Sequence, residues 1–207
     1  MKKGWLVLAT VMLVIALAPE PAAAKVTFNL GLKAGLSLSN VAWSDESGST
    51  PILRPTAGVL GVIDLSPMFT IQAELDYVIM GEWYGYDVWK WVEDYSYLQI
   101  PVLLRARLVR EAKISPFLTA GPVLGFLLSA HEKQYLNGEF DGDFDIKFRT
   151  ASTDFGAALG GGAEFKVGPL KVFLDARFYL GFTNAYRGDL DMTMRTRALV
   201  LAGGVLF

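Results

Sequence analysis

Cysteine is absent from this 207-residue sequence, which excludes a disulfide framework and any metal centre built on thiolates. Histidine occurs once, at His131, so every histidine-dependent mechanism would have to run through that ring. Charge is scarce as well. Asp, Glu, Lys and Arg make up 19% of the residues, below the roughly 25% of an ordinary soluble domain. The net charge of −2 lacks the basic footprint of a nucleic-acid binder. What is abundant is apolar: 52% hydrophobic residues, with 21 glycines beside them. Yet past the N-terminus no apolar run reaches the ~20 residues of a spanning helix.

The N-terminus stands apart. "MKKGWLVLATVMLVIALAPEPAAAK" joins a basic start (Lys2, Lys3) to an apolar run from Gly4 to Ala18, then helix breakers and Ala22-Ala23-Ala24. This three-part layout is that of a secretory signal peptide cleaved before Lys25. A retained anchor is the alternative, but the run is short for a span and ends in Pro-Glu-Pro rather than a basic stop. The expectation is a signal peptide over 1–24 and one exported domain over 25–207.

From there on the dominant period is two, the period of a strand. In "TFNLGLKAGLSLSN", Phe28, Leu30, Leu32, Ala34, Leu36 and Leu38 alternate with Asn29, Gly31, Lys33, Gly35, Ser37 and Ser39. "FTIQAELDYVIMG" sets Phe69, Ile71, Ala73, Leu75, Tyr77 and Ile79 against Thr70, Gln72, Glu74 and Asp76. The segments 98–108, 154–167 and 171–182 repeat the pattern, with Gln99, Arg105, Arg107, Asp154, Glu164, Lys166, Asp175 and Arg177 on the polar face. Two more, about 54–65 and 115–129, are apolar on both faces and are assigned by elimination, with Asp64 and Gly121 turned inward. The last, "ALVLAGGVLF", has no polar residue on either face. That makes eight strands.

The connectors carry independent information. Long polar or aromatic segments (about 40–53, 82–95, 130–150 and 184–196) alternate with the tight turns "SPM", "VREAK" and "GPL". Short and long turns in alternation are the layout of an outer-membrane barrel, with long loops outside. In hydrocarbon only helices and closed barrels satisfy every backbone hydrogen bond. A soluble calycin-like barrel is the rival, but it would carry its charges outside and its apolar residues within. The expected fold is all-β: an eight-stranded antiparallel up-and-down transmembrane barrel in a Gram-negative-type outer membrane, with membrane lipid as its first partner.

Several stretches together resemble the PorT-like outer-membrane β-barrel family: "GLKAGLSLSN", "IQAELDY", "YLQIPVLLRARL", "SPFLTAGPVLGFLL", "DFGAALGGGAEF", "ARFYLGFTN" and "LAGGVLF". The resemblance spans nearly all of the mature chain and implies an eight-stranded barrel with no enzymatic activity. Where that family usually carries Glu before Ile-Pro, this sequence has Gln99. The terminal Phe207 is similar to the C-terminal signal read by barrel-assembly machinery.

Candidate chemistry is then limited to a few constellations. Lys33, Glu74, Asp76, Gln99, Arg105, Arg107, Asp154, Glu164, Lys166, Asp175 and Arg177 form an expected lumen network. An eight-stranded barrel is only wide enough for side chains to fill it, and buried charges must be paired. A narrow ion path is the alternative reading of the same residues. Glu74 and Asp76 would make a poor acid–base pair, because facing arginines hold both ionised. Ser129 and His131, two apart near the outer end of a strand, suggest an alternative lipid hydrolase at the rim, lacking a recognisable orienting acid. Asp141, Asp143 and Asp145, with Asp189 and Asp191, are spaced like calcium-loop ligands, but the EF-hand needs further ligands and a bidentate Glu. Finally Trp83, Tyr84, Tyr86, Trp89, Trp91, Tyr95 and Tyr97, seven rings in so short a span, exceed what an interfacial girdle needs. The alternation of Val88, Lys90 and Val92 with Trp89 and Trp91 suggests a stiff hairpin above the membrane, a surface for an extracellular or envelope protein partner. The reading is a non-enzymatic barrel acting through its outer loops, with no cofactor, metal or catalytic residue assigned.

Overall fold

The computed structural model describes residues 27–44, 49–109, 112–188 and 192–207. The expected signal peptide lies outside the described residues. The elements are strands β1 (Thr27–Trp43), β2 (Thr50–Asp64), β3 (Phe69–Tyr86), β4 (Trp89–Arg107), β5 (Ile114–Leu136), β6 (Glu139–Asp145), β7 (Thr153–Val167), β8 (Leu170–Gly181) and β9 (Met194–Leu206), with one turn of 3₁₀ helix at Lys147–Arg149 before β7. Among the described residues no helix is long and apolar enough to cross a membrane.

Every neighbouring pair is antiparallel, and the sheet closes on itself. β1 pairs with both β2 and β9, β4 pairs with β5, and β5 pairs with β7. The ring therefore has eight strands, as the alternation implied. Closure is made at the chain terminus: Leu206 faces Gly31, and the Phe207 N–H donates to the Leu30 carbonyl at 2.9 Å. A closed ring leaves no unpaired edge in hydrocarbon.

The ninth strand, β6, departs from the expected acidic loop. It pairs only with the upper part of β5, beyond the ring. Much of the long connectors is likewise strand: β3 and β4 stay paired up to Tyr86 and Trp89, and β4 follows β5 up to Leu136. Local turn chemistry drives this. Asn137 and Gly138 both take positive φ (53° and 84°), the requirement of a two-residue type I′ hairpin, which Asn-Gly meets at little cost. At the β3–β4 tip, between Tyr86 and Trp89, only Asp87 takes positive φ (56°).

Sidedness follows the alternation. Leu32, Leu36, Leu104, Leu118, Leu159, Leu174 and Leu201 are exposed on the outer wall, while Lys33, Glu74, Asp76, Arg105 and Arg177 are buried inside. One irregularity matters for function. Tyr97 faces Leu127 but Ser96 faces Ser129, so Leu128 is an extra residue in β5. A bulge of this kind shifts the side-chain parity beyond it. Below it the odd residues Phe117 and Val123 point in, and above it Ala130 and Glu132 do.

Candidate functional site

The lumen is layered. Toward the short-turn end Leu60, Val62, Phe117, Phe173 and Leu206 form an apolar cluster, which explains why the sequence of β5 is apolar on both faces: one face fills the lumen. Arg105, with 0% exposure, lies over the Phe117 ring at 3.9 Å and beside Phe173 at 5.6 Å, and its Nη1 donates to Glu164 at 3.1 Å. Above this layer Glu74 accepts from both Lys33 and Arg177, the latter at 2.7 Å; Lys33 also reaches Asp76 at 2.7 Å, and Arg177 pairs with Asp175. Glycine makes the room. A Cβ on Gly58, cross-strand from Asp76, would sit 2.0 Å from its Oδ1, and one on Gly160 would sit 2.8 Å from Arg177 Cγ. A second apolar cluster, including Val78, Met80, Tyr97, Leu103, Val123 and Leu127, lies toward the hairpin end. The ion pairs thus sit between two greasy layers.

Most of the expected network is brought together there. Four members are placed differently. Lys166 is exposed, because β7 has run past the rim by that point and turns back at Gly168. It is not a lumen charge. Arg107 is partly buried at the same rim, where its Nη2 meets Asp64 at 2.8 Å. Asp154 is buried but meets the hydroxyls of Tyr179 and Thr196 rather than a cation. Gln99 is buried and makes no ion pair, being uncharged.

Above the second apolar layer the lumen opens into a cup of about 290 Å³, with Trp43, Glu82, Tyr84, Glu93, Tyr95, Arg149, Tyr186 and Met194 in its wall. Trp43 Nε1 donates to Glu82 Oε1 at 2.6 Å and packs edge-on against Tyr186 at 6.0 Å. Tyr95 donates to Glu93, and Arg149 Nη2 bonds Glu132 at 2.6 Å and reaches Glu93 at 3.4 Å. Burial pushes the Glu93 carboxyl up to about 7; the Tyr95 hydroxyl opposes that rise and the facing Glu82 adds to it. Burial raises Glu82 as well. The β6–β7 and β8–β9 connections meet over this end, with the Arg187 N–H donating to the Arg149 carbonyl at 2.8 Å and Ala151 N–H to Ala185 at 2.7 Å.

Residues 92–187, which run from the β4 hairpin to the connection after β8, match the family model of the outer membrane protein beta-barrel domain. The match falls on a chain whose outer wall is hydrocarbon and whose ion pairs are inside. The protein is an outer-membrane β-barrel. Solved structures that it is similar to include Neisserial surface protein A, NspA (14% identity, 89% of this chain and 100% of that one, TM-score 0.49). They also include the attachment invasion locus protein Ail of Yersinia pestis (13%, 86% and 98%, 0.44) and OprG of Pseudomonas aeruginosa (9%, 89% and 98%, 0.47). No curated protein matches the sequence.

On the outside of the barrel the bulge at Leu128 turns Ser129 and His131 outward, into a groove with Arg54, Asp94, Ser96, Lys133 and Asp143. An acid that the sequence left unidentified meets the histidine here: Asp143 Oδ1 lies 3.0 Å from His131 Nδ1, because β6 pairs His131 with Asp145 and sets Asp143 alongside. Among the described residues no hydrogen bond joins Ser129 to His131. The aromatic hairpin is built as a stack: Tyr84 on Trp91 at 5.5 Å and Trp91 on Trp89 at 5.9 Å on one face, with Lys90 4.7 Å from the Trp83 ring on the other, and Tyr86 exposed at the tip.

The outer-membrane barrel's cup was not anticipated. Glu82 and Glu93 carry a signal: continuing the inward parity of β3 past Met80 reaches Glu82, and continuing that of β4 back from Gln99 reaches Tyr95 and Glu93. Arg149 and Tyr186 carry none, since they enter the mouth from irregular segments.

Proposed function

We propose that the protein is a sealed, non-enzymatic outer-membrane barrel that works as an interaction module through its hairpin end, the end that faces outward in barrels with long loops on one side. The observation that carries this reading is the order of layers along the lumen: an apolar cluster, a shell of mutually paired ions, a second apolar cluster, and only then an open cup. A channel would need water between charges, whereas here Lys33, Glu74, Asp76, Asp175 and Arg177 are joined directly in ion pairs. The reading takes in the PorT-like resemblance, which implies no enzymatic activity, and gives the stacked hairpin of Trp83, Tyr84, Tyr86, Trp89 and Trp91 to an extracellular or envelope partner. Phe207, on the outer wall at the short-turn end, is assigned to the barrel-assembly machinery.

The test is single-channel recording of the refolded protein in planar bilayers, beside surface capture of partners on intact cells carrying wild type or Trp89→Ala/Trp91→Ala. A silent barrel whose capture depends on the hairpin supports the proposal; steady wild-type conductance would sink it.

One observation favours a second reading, a lipid hydrolase at the rim: His131 has an acid at 3.0 Å and a serine on the same outward groove. Against it stands the missing hydrogen bond between that serine and the histidine, the contact through which a base activates a nucleophile. Release of fatty acid from lipopolysaccharide by wild type, abolished in Ser129→Ala, would establish it.

A further inference from the structure

The acids of the cup outnumber its cations: Glu82 has no ion pair among the described residues, and Glu93 shares Arg149 with Glu132. Glu82 and Glu93 stand directly opposite each other on the inward face of the β3–β4 pair, an arrangement that costs stability when both are charged. Glu82 has 0% exposure, and its Oε2 has no hydrogen-bond partner among the described residues. The Ser49 hydroxyl beside it already donates to the Val41 carbonyl at 2.9 Å. The basic groups nearby serve other partners. Arg149, from the 3₁₀ turn, holds Glu132 of β5 at 2.6 Å and stands off Glu93 at 3.4 Å. Arg197 of β9 donates to Asn40 at 2.7 Å on the exterior.

The rest of the wall says what kind of cation would suit. Trp43, Tyr186 and Met194 line the cup; aromatic faces attract organic cations, a thioether packs against their alkyl chains, and neither is a ligand for a hard metal ion. A calcium or magnesium ion takes six or more oxygens, carboxylates and waters among them, and among the described residues no group of three or more acid, histidine or cysteine side chains converges. At about 290 Å³ the cup falls at the small end of ligand sites.

We propose that the cup binds an organic ammonium, its charged head at Glu82 Oε2 and Glu93 and its short apolar body against Trp43, Tyr186 and Met194. This rests on the reading that the hairpin end is the working end of a sealed barrel, and it gives that end a ligand chemistry. The head replaces the repulsion between two facing carboxylates with attraction to both. Binding therefore draws a proton out of the pair and tightens as pH rises through about 7.

Calorimetric titration of the protein in zwitterionic micelles tests this, with cadaverine as the probe, pentanediol and glutarate as neutral and anionic probes of similar length, and magnesium ion as the metal alone. The expected result is saturable one-to-one binding of cadaverine, tighter at about pH 8 than at about pH 6, and no heat from the diol or the diacid. Glu82→Gln and Glu93→Gln, each checked for heat-modifiable migration, should weaken cadaverine roughly tenfold or more. Two carboxylates are available to substitute, so one failed refolding leaves the other variant to decide. Absence of saturable cadaverine binding, equal affinity in a folded Gln variant, or tighter binding of magnesium than of cadaverine would each overturn the proposal. A silent barrel that ignores cadaverine defeats the cup alone, whereas a conducting barrel defeats the sealed reading whatever cadaverine does.

Discussion

Glu74 and Glu82 lie on the same face of β3, and their surroundings differ in kind. Glu74 accepts from Lys33, Arg177 and Gln72, between two apolar layers. Glu82 accepts from one indole N–H and faces another acid across the pair. A buried carboxylate with two cations on it is part of the fold, since removing either cation leaves charge in a dry space. A buried carboxylate facing a like charge is a cost to the fold. Along a single strand, then, the interior passes from residues that hold the barrel together to residues that the barrel merely tolerates.

The sharpest way to break this comparison is to remove one cation from the lower layer. Arg177→Ala should strand Asp175 and leave Glu74 with Lys33 as its one cation, at a cost of about 3–5 kcal/mol, read by urea titration of the refolded protein in micelles. Glu82→Gln in the cup should, by contrast, leave stability unchanged or raise it at neutral pH. Equal losses for the two would mean that the interior is hydrated throughout.

A pH titration of stability sharpens the same contrast. Glu93 in the folded barrel keeps a proton that the unfolded chain gives up, so stability should fall as pH rises from about 4.5 to about 7. The fall should be on the order of 1–3 kcal/mol, and Glu93→Gln should make it shallower, with Glu82 supplying what remains. An unchanged slope in that variant would assign the effect to another group.

Next in size is the lipid-facing wall. Leu104→Ala should cost about 1–2 kcal/mol, the lost transfer of its methyl groups from water, because fluid lipid fills the gap that a packed interior would keep open. A loss as large as that of Arg177→Ala would show that Leu104 packs against protein rather than lipid.

Smallest of all should be Asp143→Ala. Its pair with His131 is exposed on both sides, so the change should stay within about 0.5 kcal/mol. A reactive-phosphonate probe on wild type and on this variant separates the readings of the rim: labelling of Ser129 that depends on Asp143 would favour the hydrolase.

The alternation of residues determined the barrel before any coordinate. Phe28 through Ser39, Phe69 through Ile79 and the terminal ten residues state which side chains meet hydrocarbon, because a strand has two faces and only an apolar solvent accepts such a face. Eight strands and the inward setting of Lys33, Glu74, Asp76, Arg105, Glu164, Asp175 and Arg177 follow from the same period. Parity, however, is a local rule, and it fails where the chain adds a residue or runs past the rim. The bulge at Leu128 decided that Ser129 and His131 face outward, and the end of the barrel wall put Lys166 in solvent. Pairing across strands is also invisible to period. Only the register could set Glu82 opposite Glu93, bring Asp143 to His131, or place Phe117 and Phe173 around Arg105. The cup depends on such distant encounters most of all: Trp43, Arg149 and Tyr186 come from three separate segments, and only the closed ring makes them neighbours.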